Sequence, residues 1–243
     1  MQTPTLYGEK YFMAFTNEMS GRVSGTLLTC KDGALDAFQT YWAQAEKRCG
    51  KEIKSLRTDR GGQYLGKRFQ QYLREARIQH IVTPLYSLAQ NGLAERMNHT
   101  LMENARCILL DAQLSTKFWG YAVLTAAHIH NHLPAHTRNN LSPIANWTAK
   151  EPGIGYLRVF GSTAWVHIPK ENRSKLDPKS TKWNLIGYVE NAGTKVNWLY
   201  DPARIQVIRS HDVIIDESPL RDTDYGAKRR KAKIGLEPEA AIK

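Results

Sequence analysis

An α/β layered domain, followed by a small all-β module and a basic tail, is the architecture the sequence predicts. Three observations predict it. Short β-prone runs alternate with apolar stripes of helical spacing from Lys10 to Pro134. From Val159 onward the stripes give way to short strand-like runs separated by turns. From Arg221 the chain turns polar and carries Lys228-Arg229-Arg230-Lys231-Ala232-Lys233.

Composition bounds what such a chain can do. Its 243 residues, 42% of them hydrophobic, can bury the core of one large domain or two small ones. Lys and Arg outnumber Asp and Glu by 34 to 23, a formal charge of +11, which favours a polyanionic partner, nucleic acid ahead of an anionic membrane. No run approaches the ~18 consecutive apolar residues of a membrane-spanning helix. Met1 to Thr5 lack the basic-then-apolar layout of a secretion signal. The three cysteines, Cys30, Cys49 and Cys107, are widely spaced and odd in number. They fit a reduced intracellular compartment better than a disulfide framework.

Lys10 to Phe15 and Arg22 to Cys30 read as a hairpin turned at Met19-Ser20-Gly21. Asp32 can cap the helix that follows, whose apolar positions are Leu35, Phe38, Trp42 and Ala45, and Gly50 ends it. Ile53 to Asp59 is a short strand closed by Gly61-Gly62, Phe69 to Ala76 a helix, and His80 to Thr83 a strand stopped by Pro84. The helix from Gly92 to Ala112 carries Leu93, Met97, Leu101, Ala105 and Leu109 as one buried stripe. A further amphipathic helix spans Lys117 to Asn131 and ends at Leu133-Pro134. The domains so drawn are an α/β core over 1–134, a Pro- and Gly-bearing connector over 135–156, a β module over 157–218 and the tail over 219–243. Within the module the strands are Val159-Phe160, Thr163 to Ile168, Asn184 to Val189, Val196 to Tyr200 and Gln206 to Ile215. Trp147, Trp165, Trp183 and Trp198 read as core residues of the β region, and Cys107 as a small buried apolar group.

Two carboxylates stand out. Asp59 closes a strand before two glycines, where a loop can turn a side chain to solvent, although a turn-initiating Asp is common there. Glu95 lies two residues beyond Leu93, about 200° around the helix, so it points away from the core with Asn98 and His99 on its face. Taken alone, such a Glu is usually a solvated charge. His128, His130, His132 and His136 cluster, and His128 and His132 share a helical face. With no cysteine or carboxylate close by, zinc is disfavoured.

Arg57-Thr58-Asp59-x-Gly61-Gly62, Thr83-Pro84-x-Tyr86, Gln90-Asn91-Gly92-Leu93-Ala94-Glu95-Arg96 and Thr100-Leu101-Met102-Glu103 follow one another in order. Phe118-Trp119 and Asn131 to Pro134 come next. Val159-Phe160-Gly161, Lys175 to Ser180, Ile186-Gly187-Tyr188 and Asp212-Val213 complete the series. From about Gly8 to Leu220 this ordered set resembles the integrase of copia-type LTR retrotransposons, a segment of their Pol polyprotein. The resemblance implies an RNase H-like integrase core followed by a small barrel of the Src-homology-3 type. It implies DNA integration by metal-dependent phosphoryl transfer, with two Mg²⁺ ions held by two Asp and one Glu. Asp59 and Glu95 match two of those three and are the candidate catalytic and metal-binding residues.

The family's first Asp belongs to an opening strand that precedes the segment matching Met1 to Leu6, and no residue here aligns with it. A truncated chain, lacking that strand and inactive alone, is therefore the expectation. Asn17, Glu18, Asp32 and Asp36 do not replace it. Arg60 stands where the family usually has Asn, and Gln63 where it has Glu, so a guanidinium beside Asp59 would compete with metal. Arg60, Arg96, Asn98, Lys228, Arg229, Arg230 and Lys231 are the candidate nucleic-acid contacts. DNA is the implied partner, with RNA also open, and self-association and nuclear import through the basic run are further expectations. The rival reading is a nucleic-acid-binding remnant without catalysis, with salt-sensitive binding that ignores Mg²⁺.

Overall fold

Residues 1–83, 88–135, 139–189 and 196–218 are described by the structure, a computed structural model of the chain. The basic tail with Lys228, Arg229, Arg230 and Lys231, together with His136, lies outside them, as do Pro84 to Ser87. Backbone contacts divide the chain into two units: Met1–Leu110 with Ser115–Gly155, and Asp111–Leu114 with Tyr156–Lys243.

The first unit opens with the hairpin. Strands β1 (Tyr11–Thr16) and β2 (Val23–Leu28) pair antiparallel, Tyr11 opposite Leu28 and Thr16 opposite Val23. Asn17 closes the turn, its side-chain oxygen accepting from the N–H and the hydroxyl of Ser20. Helix α1 (Ala34–Cys49) follows a 3₁₀ turn over Lys31–Gly33. Asp32 is consumed inside that turn, so the expected cap is not made; Gly33 takes the cap position with no side-chain bond. Gly50 ends the helix at φ 63°, a conformation a Cβ would oppose.

Strands β3 (Ser55–Thr58) and β4 (Gln79–Val82) pair in parallel. The short helix α2 (Gly62–Leu65) and helix α3 (Lys67–Glu75) form the crossover that parallel pairing requires. Among the described residues these two strand pairs are separate sheets. The apolar face of α1 joins them. Phe38, 0% exposed, meets Phe15 of β1 at 6.0 Å between ring centroids and Phe69 of α3 at 5.7 Å. Tyr41 stacks on Phe15 at 4.4 Å, and Trp42 meets Tyr72 edge-on at 5.5 Å.

Helix α4 (Leu88–Asp111) buries its stripe only in the middle, at Leu101 and Ala105; Leu93 is 37% exposed. Cys107 is exposed, against expectation, because it lies two residues and about 200° beyond buried Ala105. The segment read as a connector contains helix α6 (Pro143–Thr148), capped by the Ser142 hydroxyl on the Ala145 N–H at 3.1 Å, with Pro143 at its first position. Trp147 belongs to this helix and not to the β region.

In the second unit, strands β5 (Thr163–His167), β6 (Ser180–Tyr188), β7 (Asn197–Asp201), β8 (Gln206–Ser210) and β9 (Val213–Asp216) form one sheet in the order β8-β7-β6-β5-β9. Val159-Phe160 forms no strand. The single run expected from Gln206 to Ile215 is two strands, broken at His211-Asp212 and placed at opposite edges. Ser210 and Val213 are three Cα steps apart, at most about 11 Å. A flat five-stranded sheet would hold its edges about 19 Å apart. The sheet must therefore curl until its edge strands meet at one end, which is the geometry of a small open barrel. A register shift between Leu185 and Gly187 bends β6 accordingly. Ala164, Trp183, Leu185 and Leu199 fill the inside. Trp165 alternates away from Ala164, so it stands 40% exposed on the outside and is not a core residue. Trp198 lies under the Arg209 guanidinium at 5.5 Å.

Helix α5 (Trp119–His132) lies along β2. Gly25 allows the approach, since a Cβ there would fall 3.1 Å from Leu124 and 2.5 Å from the Phe12 ring. Asn131 completes the contact: its Oδ1 accepts from the Val23 N–H at 2.8 Å and its Nδ2 donates to the Val23 carbonyl at 2.7 Å. One amide thus satisfies both backbone groups of a buried strand residue. The helix's histidines are committed to the fold. His130 Nε2 faces the Gly21 carbonyl at 3.2 Å, and His132 Nδ1 donates to the His128 carbonyl at 2.7 Å. The His128 and His132 rings lie 4.2 Å apart. Burial first, and the neighbouring His132 second, push the His128 pKa down to about 3.

Asn131→Ala should lower the unfolding free energy by about 2–4 kcal/mol, read from urea midpoints, because it leaves two buried backbone groups without partners. A loss under about 0.5 kcal/mol would show that β2 does not depend on this bond. His128 folds neutral and would charge on unfolding, so its contribution is complete above about pH 6.5, the unfolded value. It is lost as pH falls from there toward about 3. Urea midpoints at pH 7 and pH 5 should therefore differ less in His128→Leu than in the unsubstituted chain; an equal difference would assign the acid sensitivity elsewhere.

Candidate active site

Asp59 is held from three directions. The Thr58 carbonyl, on the peptide before it, accepts from the Thr83 N–H at 3.0 Å and the Thr83 hydroxyl at 3.1 Å. The Asp59 carbonyl, on the peptide after it, accepts from the Thr58 hydroxyl at 2.8 Å. With both peptides fixed, the carboxylate's own torsions are the remaining freedom, and the Gly61 N–H takes them by donating to Oδ1 at 2.9 Å. A Cβ on Gly61 would sit 2.9 Å from that oxygen and 2.5 Å from Gln63 Nε2, so a side chain there would push one or both of these side-chain ends aside. The Asp59 side chain is exposed, so the oriented carboxylate faces solvent.

Glu95 occupies the second turn of α4 and is also exposed. Arg57, two residues before Asp59, and Ala94, next to Glu95, line one cleft of about 470 Å³ together with Thr16, Glu18 and Ile53. Arg57 pairs with Glu18 at 3.5 Å there, and Asp36 pairs with Arg68 at 3.7 Å. Arg60 does not turn on Asp59. Its Nε reaches the Thr83 carbonyl at 3.4 Å, and among the described residues it forms no ion pair with the carboxylate. The expected competition between guanidinium and metal is therefore absent from this geometry. Arg96 is exposed on α4 and folds back over Gly92, where a Cβ would meet its Nη1 at 2.8 Å; Asn98 is exposed beyond it.

Hard carboxylate oxygens suit Mg²⁺, which keeps several waters and needs few protein ligands. Asp59, with Oδ1 oriented and the side chain open to solvent, fits that role, and Glu95 offers a second exposed carboxylate. Among the described residues no group of three His, Cys, Asp or Glu side chains stands ready to hold a metal ion.

Sequence reasoning passed over the residues beneath Asp59. His80 of β4 faces the Thr58 hydroxyl through Nε2 at 2.8 Å and Gln70 of α3 through Nδ1 at 2.6 Å. Burial lowers its pKa. Tyr64 of α2 is pushed up, first by burial and then by the charge of Asp59, against an opposing hydrogen bond with Gln63. A His inside a short apolar strand was the one available signal.

Residues 162–228 match the retroviral polymerase SH3-like domain family. The retrovirus-related Pol polyprotein from transposon TNT 1-94 of Nicotiana tabacum is 38% identical over 239 residues, 98% of this chain and 18% of that polyprotein. The chain thus spans less than a fifth of the length of that relative. Among solved structures, a chain of the simian T-cell lymphotropic virus intasome in complex with PP2A regulatory subunit B56 gamma aligns with a TM-score of 0.48. The two are 17% identical, over 84% of this chain and 71% of the other. The HTLV-2 integrase catalytic core domain, solved in complex with magnesium, aligns with a TM-score of 0.42 at 22% identity, over 56% of this chain and 83% of the other.

Proposed function

We propose that this chain, homologous over nearly its whole length to retrovirus-related Pol polyproteins of plant transposons, is the DNA-joining part of such a polyprotein. In this reading the first unit is a copia-type integrase core of RNase H-like fold and the second is its SH3-like module. The observation that carries the reading is the 38% identical match over 98% of the chain, a span that takes in both carboxylate motifs.

Asp59 and Glu95 are the proposed metal-binding carboxylates, and Mg²⁺ the proposed cofactor. When bound, such ions supply Lewis acidity that activates water or a 3′-hydroxyl for in-line attack on a phosphodiester. The chain's own part is to present the carboxylates in fixed geometry. Arg60, Arg96 and Asn98 are exposed donors beside them and are proposed to hold phosphate oxygens. The Lys228–Lys233 run adds non-specific DNA affinity and directs the chain to the nucleus. Self-association, as in multimeric joining machinery, belongs to the same proposal.

In a Mg²⁺-dependent strand-transfer assay of the chain within its polyprotein, Asp59→Asn and Glu95→Gln should each lower joining by at least about a hundredfold. DNA affinity should stay within about threefold. Either variant joining at the unsubstituted rate would sink the assignment. Arg60→Ala and Arg96→Ala should each reduce the slope of log K against log salt by about one. An unchanged slope would remove that residue from the phosphate contacts.

A further inference from the structure

The hydrogen bonds beneath Asp59 have a direction. The Gln70 side-chain nitrogen lies 2.7 Å from the Tyr64 carbonyl, which can only accept, so that nitrogen is the donor. The same nitrogen lies 2.6 Å from His80 Nδ1, so Nδ1 accepts. A neutral imidazole accepting at Nδ1 carries its proton on Nε2, and Nε2 faces the Thr58 hydroxyl at 2.8 Å. Thr58 Oγ1 therefore accepts from His80 and gives its own hydrogen to the Asp59 carbonyl at 2.8 Å. Polarity runs one way, from Gln70 on α3, through His80 on β4 and Thr58 on β3, to the peptide that follows Asp59. Each donor in such a chain strengthens the next.

We infer that His80 is a positioning residue for the Asp59 carboxylate: its Nε2–H, acting through the Thr58 hydroxyl, fixes the peptide after Asp59 so that the Gly61 N–H meets Oδ1. Without that proton the Thr58 hydroxyl is free to rotate away from the Asp59 carbonyl. The peptide plane then loses its bond from the Thr58 hydroxyl, and the Gly61 amide drifts from the carboxylate. Neither His80 nor Gln70 touches the carboxylate itself. The consequence for metal binding rests on the reading of Asp59 as a ligand; the consequence for Gly61 does not.

The test is the amide resonance of Gly61 in the full chain, followed by NMR in His80→Phe, Thr58→Val, the double variant, His80→Gln and Asp59→Ala. His80→Phe and Thr58→Val should each move the Gly61 proton upfield and raise its exchange by about tenfold. The double variant should do no more, because both substitutions cut the same chain. His80→Gln, which keeps a donor and an acceptor, should recover at least half of the change. Should His80→Phe fail to fold, Thr58→Val breaks the chain one bond further on without changing its shape. Apparent Mg²⁺ affinity, titrated through the same resonance, should fall by about 10–100-fold in both single variants. An unshifted Gly61 amide in folded His80→Phe or Thr58→Val, or additive effects in the double variant, would overturn the inference. A Mg²⁺ response that survives unchanged in Asp59→Ala would instead overturn the proposed function and leave the positioning role to the Gly61 result.

Discussion

Phe38 is the contact on which the first unit depends. Among the described residues the β1–β2 hairpin and the β3–β4 pair share no ladder, so backbone hydrogen bonding cannot set one against the other. A single ring with no exposed surface does so, meeting β1 through Phe15 and α3 through Phe69 and Tyr72. Tyr41 and Trp42, on the next turn of α1, repeat the arrangement on either side. Each aromatic pair adds about 0.5–1.5 kcal/mol beyond the area it buries. The set also fixes angles, which a slippery aliphatic contact would not. The two strand pairs are thus positioned through side chains, chiefly by this packing, with the Arg57–Glu18 ion pair added at the hairpin turn.

That packing reaches the candidate site in one step. Phe69 and Leu73 fix the face of α3 that meets the core, both almost fully buried. Gln70 follows Phe69 directly, so the rotation that buries the ring aims the amide at His80. Burial of one face of α3 therefore sets polar geometry on its flank. The Asp59 turn inherits its position from the core through Gln70, His80 and Thr58, and through Thr83 at the end of β4. Short elements suffice here: β3 and β4 are four residues each, yet side-chain bonds at their ends continue what their ladder begins.

The sequence displays what is periodic and hides what is distant. The helices show because apolar residues recur at their spacing, and the end of α1 shows because Gly50 alone can take a positive φ cheaply there. Asp32 misleads because capping depends on where the first helical turn begins, and a 3₁₀ turn moves the cap of α1 from Asp32 to Gly33. Leu93 misleads because a stripe stepping by four drifts around a 3.6-residue helix and leaves the buried face toward its ends, and Cys107 because it stands about 200° around the helix from Ala105. Asp59 and Glu95 are legible only through the motifs around them. His80 and Gln70 are invisible because their importance arises from a contact across 10 and 22 residues that no local pattern encodes.

The second unit shows the same limit in a sharper form. Gln206 to Ile215 reads as one strand-like run, and the strand-depleted Asp212 is a weak local mark of the break at His211-Asp212. The break is imposed by closure. Once β8 has paired with β7, the chain crosses to the free edge of β5, and two residues are enough because the sheet is curled. Curling in turn depends on the irregularity in β6 and on Gly161, whose φ of 87° turns the chain into β5. A Cβ on Gly161 would lie 2.6 Å from the side chain of Ala112, one of the residues 111–114 that group with this unit. The family match begins at residue 162, immediately after that turn. The family match thus begins where Gly161 turns the chain into β5, and the sheet beyond it is closed by connection length as much as by strand pairing.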